Sequence, residues 1–133
     1  LDVKLKHLNS YCEARQKAAA YYDLALQNIK QITIPFRSDH STHVFHQYTI
    51  KIDKRYSRDE LKKYLAENGI PSMIYYPLPL HKQLAYQEFM NNGVEYPTSS
   101  SLCESVLSLP IHTHLKREEQ EYITHYVKSF FSK

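Results

Sequence analysis

The sequence predicts an α+β domain, a small and mainly antiparallel sheet with flanking helices, and three observations point to it. Leu1, Leu5, Leu8, Cys12, Ala19, Tyr22, Leu26 and Ile29 fall on one helical seam, giving a long first helix over about 1–30. Tyr122, Ile123, Tyr126, Val127, Phe130 and Phe131 give a second amphipathic helix at the other end, with Glu118 and Glu119 in its first turn and Lys128 near its last. Between them the run from His43 to Ile52 alternates with the period of two that marks a strand. The order helix, strand, helix, strand, helices, strand, helix describes one domain with helices on one face of a sheet.

Each element has a local reason. Arg15 lies on the seam of the first helix, where its stem is expected to pack while its guanidinium reaches water; a salt bridge to a preceding domain is the alternative. The seam opens on Leu1 with no capping residue, so the protein is expected to continue upstream, leaving Leu1, Leu5, Leu8 and Cys12 partly exposed. In the strand, Val44, His46, Tyr48, Ile50 and Ile52 share one face. Ser57-Arg58-Asp59-Glu60 reads as a capping box with Tyr56 and Leu61 as its staple, and Asn68-Gly69 ends that helix ahead of Pro71. Met73 to Tyr76 reads as a short strand that Pro77 and Pro79 convert into a rigid, extended loop. A short helix follows from Leu84 to Met90, stopped by Asn91-Asn92-Gly93. Another runs from about Thr98 to Leu107, capped by the Thr-Ser cluster, and a strand from Leu107 to Ile111 completes the sheet.

Composition narrows the function. The 133 residues suffice for one core, and two glycines leave no room for a glycine-rich phosphate loop. A net charge of +3 with acids and bases intermixed does not indicate nucleic-acid binding. No apolar run is long enough to span a membrane, and Cys12 and Cys103, far apart and without metal spacing, read as reduced, partly buried thiols. A cytoplasmic protein without a membrane partner is expected. His43 with His46, and His112 with His114, lack cysteine or carboxylate partners at ligand spacing, so no metal is expected.

Several stretches, in order, carry a resemblance: Leu5-Lys6-His7-Leu8, Glu13-Ala14-Arg15, His43-Val44-Phe45-His46-Gln47-Tyr48, Arg58-Asp59-Glu60-Leu61, Gly69-Ile70-Pro71 and Tyr75-Tyr76-Pro77-Leu78-Pro79-Leu80-His81. Tyr96-Pro97 and Val106-Leu107-Ser108-Leu109-Pro110-Ile111-His112 complete the set. Together they resemble the C-terminal part of the DegT/DnrJ/EryC1/StrS family of sugar aminotransferases, across essentially the whole chain. The resemblance implies that residues 1–133 are the small C-terminal domain of a fold-type-I enzyme, with 1–30 as the helix arriving from a large domain. It also implies pyridoxal phosphate held by that large domain, glutamate as the usual amino donor, a nucleotide-linked keto sugar as acceptor and a homodimer. No stretch here resembles the Schiff-base lysine motif or its carboxylate partner, so no catalytic or cofactor-binding residue is expected and the chain alone should be inactive. A sugar dehydratase of the same family is the alternative enzyme, and a standalone α+β binding module the alternative outside enzymes. The sequence departs from many relatives at Tyr75, where they carry histidine, and at Lys116, where they carry a capping threonine; Thr113 is a poorly placed substitute.

The candidate substrate-binding residues are Tyr75, Tyr76, His81, His46 and Gln47. The prolines hold the 75–81 loop extended, and the resemblance directs it toward the sugar nucleotide. Adjacent strand residues face opposite ways, so one tyrosine of the pair points into the site. Tyr76 is expected to bind the sugar and Tyr75 to face away, both being packing tyrosines on the plainer reading. His46, sharing a face with Val44 and Ile50, reads more readily as a hydrogen-bonded core histidine.

Overall fold

A computed structural model describes residues 2–89 and 94–132. Its elements are α1 (Asp2–Leu5), α2 (Leu8–Leu26), β1 (Ile32–Thr33), β2 (Tyr48–Ile52), α3 (Arg58–Glu67), α4 (Pro97–Ser105), β3 (Val106–Leu109) and α5 (Arg117–Phe131), with two 3₁₀ segments at Leu80–Lys82 and Leu84–Phe89. The sheet runs β1-β2-β3 and is antiparallel throughout, with Ile32 opposite Ile52, Tyr48 opposite Leu109 and Ile50 opposite Leu107. Tyr48, Ile50, Ile52, Leu107 and Leu109 bury one face of it. They form a common core with Tyr22 and Leu26 of α2, Leu61 and Leu65 of α3, and Ile123 and Val127 of α5. Helices on one face of a small antiparallel sheet is the predicted α+β arrangement.

The expected long first helix is interrupted at Lys6 and His7. His7 donates its N–H three residues back to Lys4, the Ser10 hydroxyl donates to the His7 carbonyl at 2.8 Å, and regular helix resumes at Leu8. Leu5 and Leu8 are exposed and Cys12 half-buried, as expected for that part of the seam, so tertiary packing does not enforce continuity there. Leu1 lies outside the described residues. The seam is buried at Ala19, Tyr22 and Leu26, and Gln120 of α5 donates its side-chain amide to the Ala18 carbonyl at 2.9 Å, a buried tie between α2 and α5.

Helix α3 is capped at Ser57 and closed at Gly69 as the sequence indicates. The Ser57 hydroxyl accepts the Glu60 N–H at 3.2 Å. At the other end Gly69 adopts φ +71°, and the N–H groups of Gly69 and Ile70 return to the carbonyls of Ala66 and Leu65. That is a Schellman closure, sealed by the buried pair Leu65 and Ile70. An added Cβ at Gly69 meets no atom within 4 Å, so an alanine there costs backbone strain alone. Tyr56 packs edge-on against Phe131 with ring centroids 5.4 Å apart. The Arg58 guanidinium, largely buried, donates to the carbonyls of Cys103 and Val106 at 3.0 and 3.1 Å and so holds the α4–β3 junction.

Other boundaries differ from the expectation. The 73–76 strand reduces to one antiparallel bridge, Met73 with Ser108, closed by bonds of 3.1 and 2.8 Å before the prolines end the pairing; the Tyr75–Tyr76 peptide is cis. The segment after it is 3₁₀ from Leu84 to Phe89 rather than α, and its expected stop at Met90 to Gly93 lies outside the described residues. Helix α4 begins on Pro97 with no side-chain cap from the Thr-Ser cluster. Proline at the first helical position has no N–H to satisfy and a φ already suited to the helix. Strand β3 runs from Val106 to Leu109 and stops before Pro110, which cannot donate to a ladder. At α5 the Lys116 side chain has no acceptor to offer, so half a capping box forms: Glu119 accepts the Lys116 N–H at 2.7 Å. Tyr122 is exposed rather than on the core stripe and donates to the Asn68 carbonyl at 3.2 Å.

Two buried tyrosines make a pH prediction. Tyr22 donates to the Pro110 carbonyl at 2.8 Å and Tyr48 to Asp23 at 2.7 Å. Burial raises both phenols above the ordinary tyrosine range, and for Tyr48 the bond to Asp23 adds to the effect. The folded state therefore holds these protons more tightly than the unfolded chain. Their contribution is complete below about pH 10 and declines as pH rises past it, by on the order of 1 kcal/mol per pH unit for each. In a phenolate titration of the chain, which has 12 tyrosines, two should ionise only together with loss of the helical circular dichroism signal. Ionisation of all of them ahead of unfolding would contradict the burial.

Candidate functional site

Residues 43–47 were expected to extend β2, with Val44 and His46 on its core face. They lie outside the ladder instead. Phe45 takes φ +48°, a left-handed conformation that interrupts the alternation, so its ring is buried while Val44 and His46 are exposed. The His43 ring explains part of this: its Nδ1 accepts the Phe45 N–H at 2.9 Å and its face lies 4.3 Å from the Phe45 ring. On the other side the Arg37 guanidinium sits 4.1 Å from the centre of that ring and bonds Asp23. His46 is therefore not a core histidine.

The freed carbonyls of this turn go to α2. Arg15 Nη1 lies 3.1 Å from both the Phe45 and His46 carbonyls and 3.3 Å from the Ile111 carbonyl, and Gln16 donates to the His43 carbonyl at 3.1 Å. The guanidinium expected to reach water is instead a clasp between two loops. Nothing in the helical spacing of Arg15 distinguishes these outcomes, since the partners are 30, 31 and 96 residues away.

These loops wall an open groove of about 280 Å³. His46 and Gln47 come from one side, Pro110, Ile111 and His112 from the end of β3, and Met73 and Tyr75 from the bridged segment. Alternation accounts for the last pair. With Met73 held against Ser108, Met73 and Tyr75 turn to the groove while Ile74 packs toward the core. The two tyrosines line different surfaces, and Tyr75 is the one in this groove. Tyr76 is 70% exposed and lines a separate depression with Leu78, Pro79, Leu80 and Leu102. His81 stacks on Tyr96, with ring centroids 5.0 Å apart, and does not line the groove. The structure thus gathers Tyr75, His46 and Gln47 and leaves Tyr76 and His81 elsewhere.

His112 was not singled out as a substrate-facing residue, yet it lines the groove. Its Nδ1 accepts the His114 N–H at 3.2 Å, which leaves Nε2 to carry the proton of the neutral ring. Its sequence signals are its place after Pro110 at the end of a strand and its place in the Val106-to-His112 stretch that carries the resemblance. Among the described residues no three His, Cys, Asp or Glu side chains gather as a metal site would require.

The groove offers a phenol, two imidazoles and a carboxamide beside apolar walls, a set suited to hydrogen-bonding a polyhydroxylated ligand. It does not fit pyridoxal phosphate. No lysine and no carboxylate lines it, and among the described residues every lysine is exposed apart from the half-buried Lys62. A Schiff-base lysine needs a desolvated amine, and a pyridine nitrogen needs an acid to face it.

The fold and the groove define the class as a small α+β domain with a polar groove at the ends of its strands. The chain belongs to the DegT/DnrJ/EryC1/StrS aminotransferase family, whose model matches residues 1–128. It is 38% identical over 133 residues to the Pleiotropic regulatory protein of Geobacillus stearothermophilus, covering 98% of this chain and 35% of that protein. It is 35% identical to the dTDP-3-amino-3,6-dideoxy-alpha-D-galactopyranose transaminase of Aneurinibacillus thermoaerophilus, covering 98% of this chain and 34% of that one. Among solved structures, a DegT DnrJ EryC1 StrS aminotransferase from Brucella abortus superposes with a TM-score of 0.89 at 35% identity, covering 100% of this chain and 34% of its own. The chain thus spans about a third of the length of the curated relatives it matches.

Proposed function

We propose that this chain is the C-terminal domain of a pyridoxal-phosphate-dependent aminotransferase that moves an amino group, with glutamate as donor, onto a nucleotide-linked 3-keto sugar for polysaccharide or deoxyamino-sugar synthesis. Its part is to supply the sugar-facing wall of the pocket: Tyr75, His46, Gln47 and His112 hold hydroxyl and acetamido groups, and the cofactor and its lysine belong to the large domain. The observation that carries this reading is the gathering of those side chains in a groove that contains no lysine or carboxylate. Support for the position on the sugar comes from the transaminase of Aneurinibacillus thermoaerophilus, whose name specifies a 3-amino product. The working enzyme is a cytoplasmic homodimer; among the described residues no helix is long and apolar enough to cross a membrane.

The test is product formation. Full-length protein loaded with pyridoxal phosphate should convert L-glutamate and a dTDP-linked 3-keto-6-deoxyhexose into equal amounts of 2-oxoglutarate and the dTDP-linked 3-amino sugar. The 133-residue chain alone should form neither. Turnover by the isolated chain, or loss of a sugar hydroxyl without amine formation by the full-length protein, would overturn it.

A further inference from the structure

The geometry points to Arg15 as the positioning residue that sets the width of the groove, although it contributes nothing to the groove's lining. The inference rests on the proposed reading of that groove as sugar-facing. His46 and His112 stand on loops that belong to different parts of the chain, and the ladder holds neither: β2 begins at Tyr48 and β3 ends at Leu109. What joins them is one guanidinium nitrogen, bonded to the His46 carbonyl at 3.1 Å and to the Ile111 carbonyl, one residue before His112, at 3.3 Å. A third contact, 3.1 Å to the Phe45 carbonyl, falls on the residue with φ +48°. Nη1 carries two N–H groups, so the three carbonyls share two hydrogens, and the planar, permanently charged group aims them in a fixed direction that a lysine's freely turning ammonium does not reproduce. The clasp originates on α2, beside Gln16, which holds the His43 carbonyl of the same turn at 3.1 Å. His46 and His112 are thereby tied to the first long helix, whereas Tyr75 follows the bridge of Met73 to Ser108.

Two measurements on the full-length enzyme test this, using Arg15→Lys and Arg15→Gln so that folding survives, with Gly69→Ala as a destabilised variant that leaves the clasp intact. In crystal structures of the variants, residues 43–47 and 110–112 should move apart while Ile50 and Leu107 superpose on the parent. Unchanged loops in Arg15→Gln would overturn the inference whatever the kinetics show. With dTDP-3-amino-3,6-dideoxy-α-D-galactopyranose as probe, KM in the sugar half-reaction should rise roughly tenfold in Arg15→Gln and less in Arg15→Lys, with the glutamate half-reaction unchanged. Equal losses in both half-reactions, or the same KM change in Gly69→Ala, would show a merely structural role. Loops that move without any change in KM would leave the clasp standing and instead count against the groove as the sugar site.

Discussion

Ile50→Ala should lower the stability of the domain by about 2–5 kcal/mol, the cost of emptying a buried site that the surroundings refill only in part. Ile50 is fully buried at the centre of β2, opposite Leu107 and against the helices. A loss of that size is a large fraction of the roughly 5–15 kcal/mol that keeps a domain folded. The informative comparison is Val44→Ala. Uninterrupted alternation would place Val44 on the same buried face as Ile50, whereas it is 49% exposed. Its removal should change stability by no more than about 0.5 kcal/mol, and Phe45→Ala should instead behave as a core deletion. Urea unfolding followed by circular dichroism checks all three. Similar losses for Val44→Ala and Ile50→Ala would mean that the strand continues unbroken through His43 and that the turn at Phe45 is wrong.

The parts of the fold that were legible in the sequence are those decided within a few residues. Ser57 and Gly69 bound α3 through bonds to their own neighbours, and the alternation of β2 needs only the sheet's pleat. The errors came where a distant group decides. Nothing in a period-two pattern reports that His43 will bond the Phe45 N–H, or that α2 will supply donors to the carbonyls of 43, 45 and 46. The break at His7 was likewise invisible, because a continuous apolar seam predicts a continuous helix whether or not anything packs on it.

The same distinction holds for the site. Tyr75 is legible from the rigid proline-flanked segment, and His46 and Gln47 from the resemblance. Which tyrosine faces the groove did not follow, because it depends on the bridge of Met73 to Ser108, a partner far along the chain. Once Met73 is placed, Tyr75 must accompany it. His81 stands apart for a related reason: its ring meets Tyr96, a partner from beyond the loop that carries it.

The pair of tyrosines therefore carries the most direct test of the account, that this domain supplies the sugar-facing wall and not the chemistry. Tyr75 shares the groove with His46, Gln47 and His112, whereas Tyr76 lies in a separate depression. Removing one hydroxyl that binds a substrate in a desolvated pocket costs about 1–3 kcal/mol, or roughly 5- to 150-fold in kcat/KM. In the full-length enzyme, single-turnover kinetics of the two half-reactions should show Tyr75→Phe slowed by that factor with the nucleotide-linked keto sugar and unchanged with glutamate, and Tyr76→Phe unchanged in both. Sensitivity of Tyr76 with a silent Tyr75, or an equal loss in the glutamate half-reaction, would contradict the assignment of this groove to the sugar.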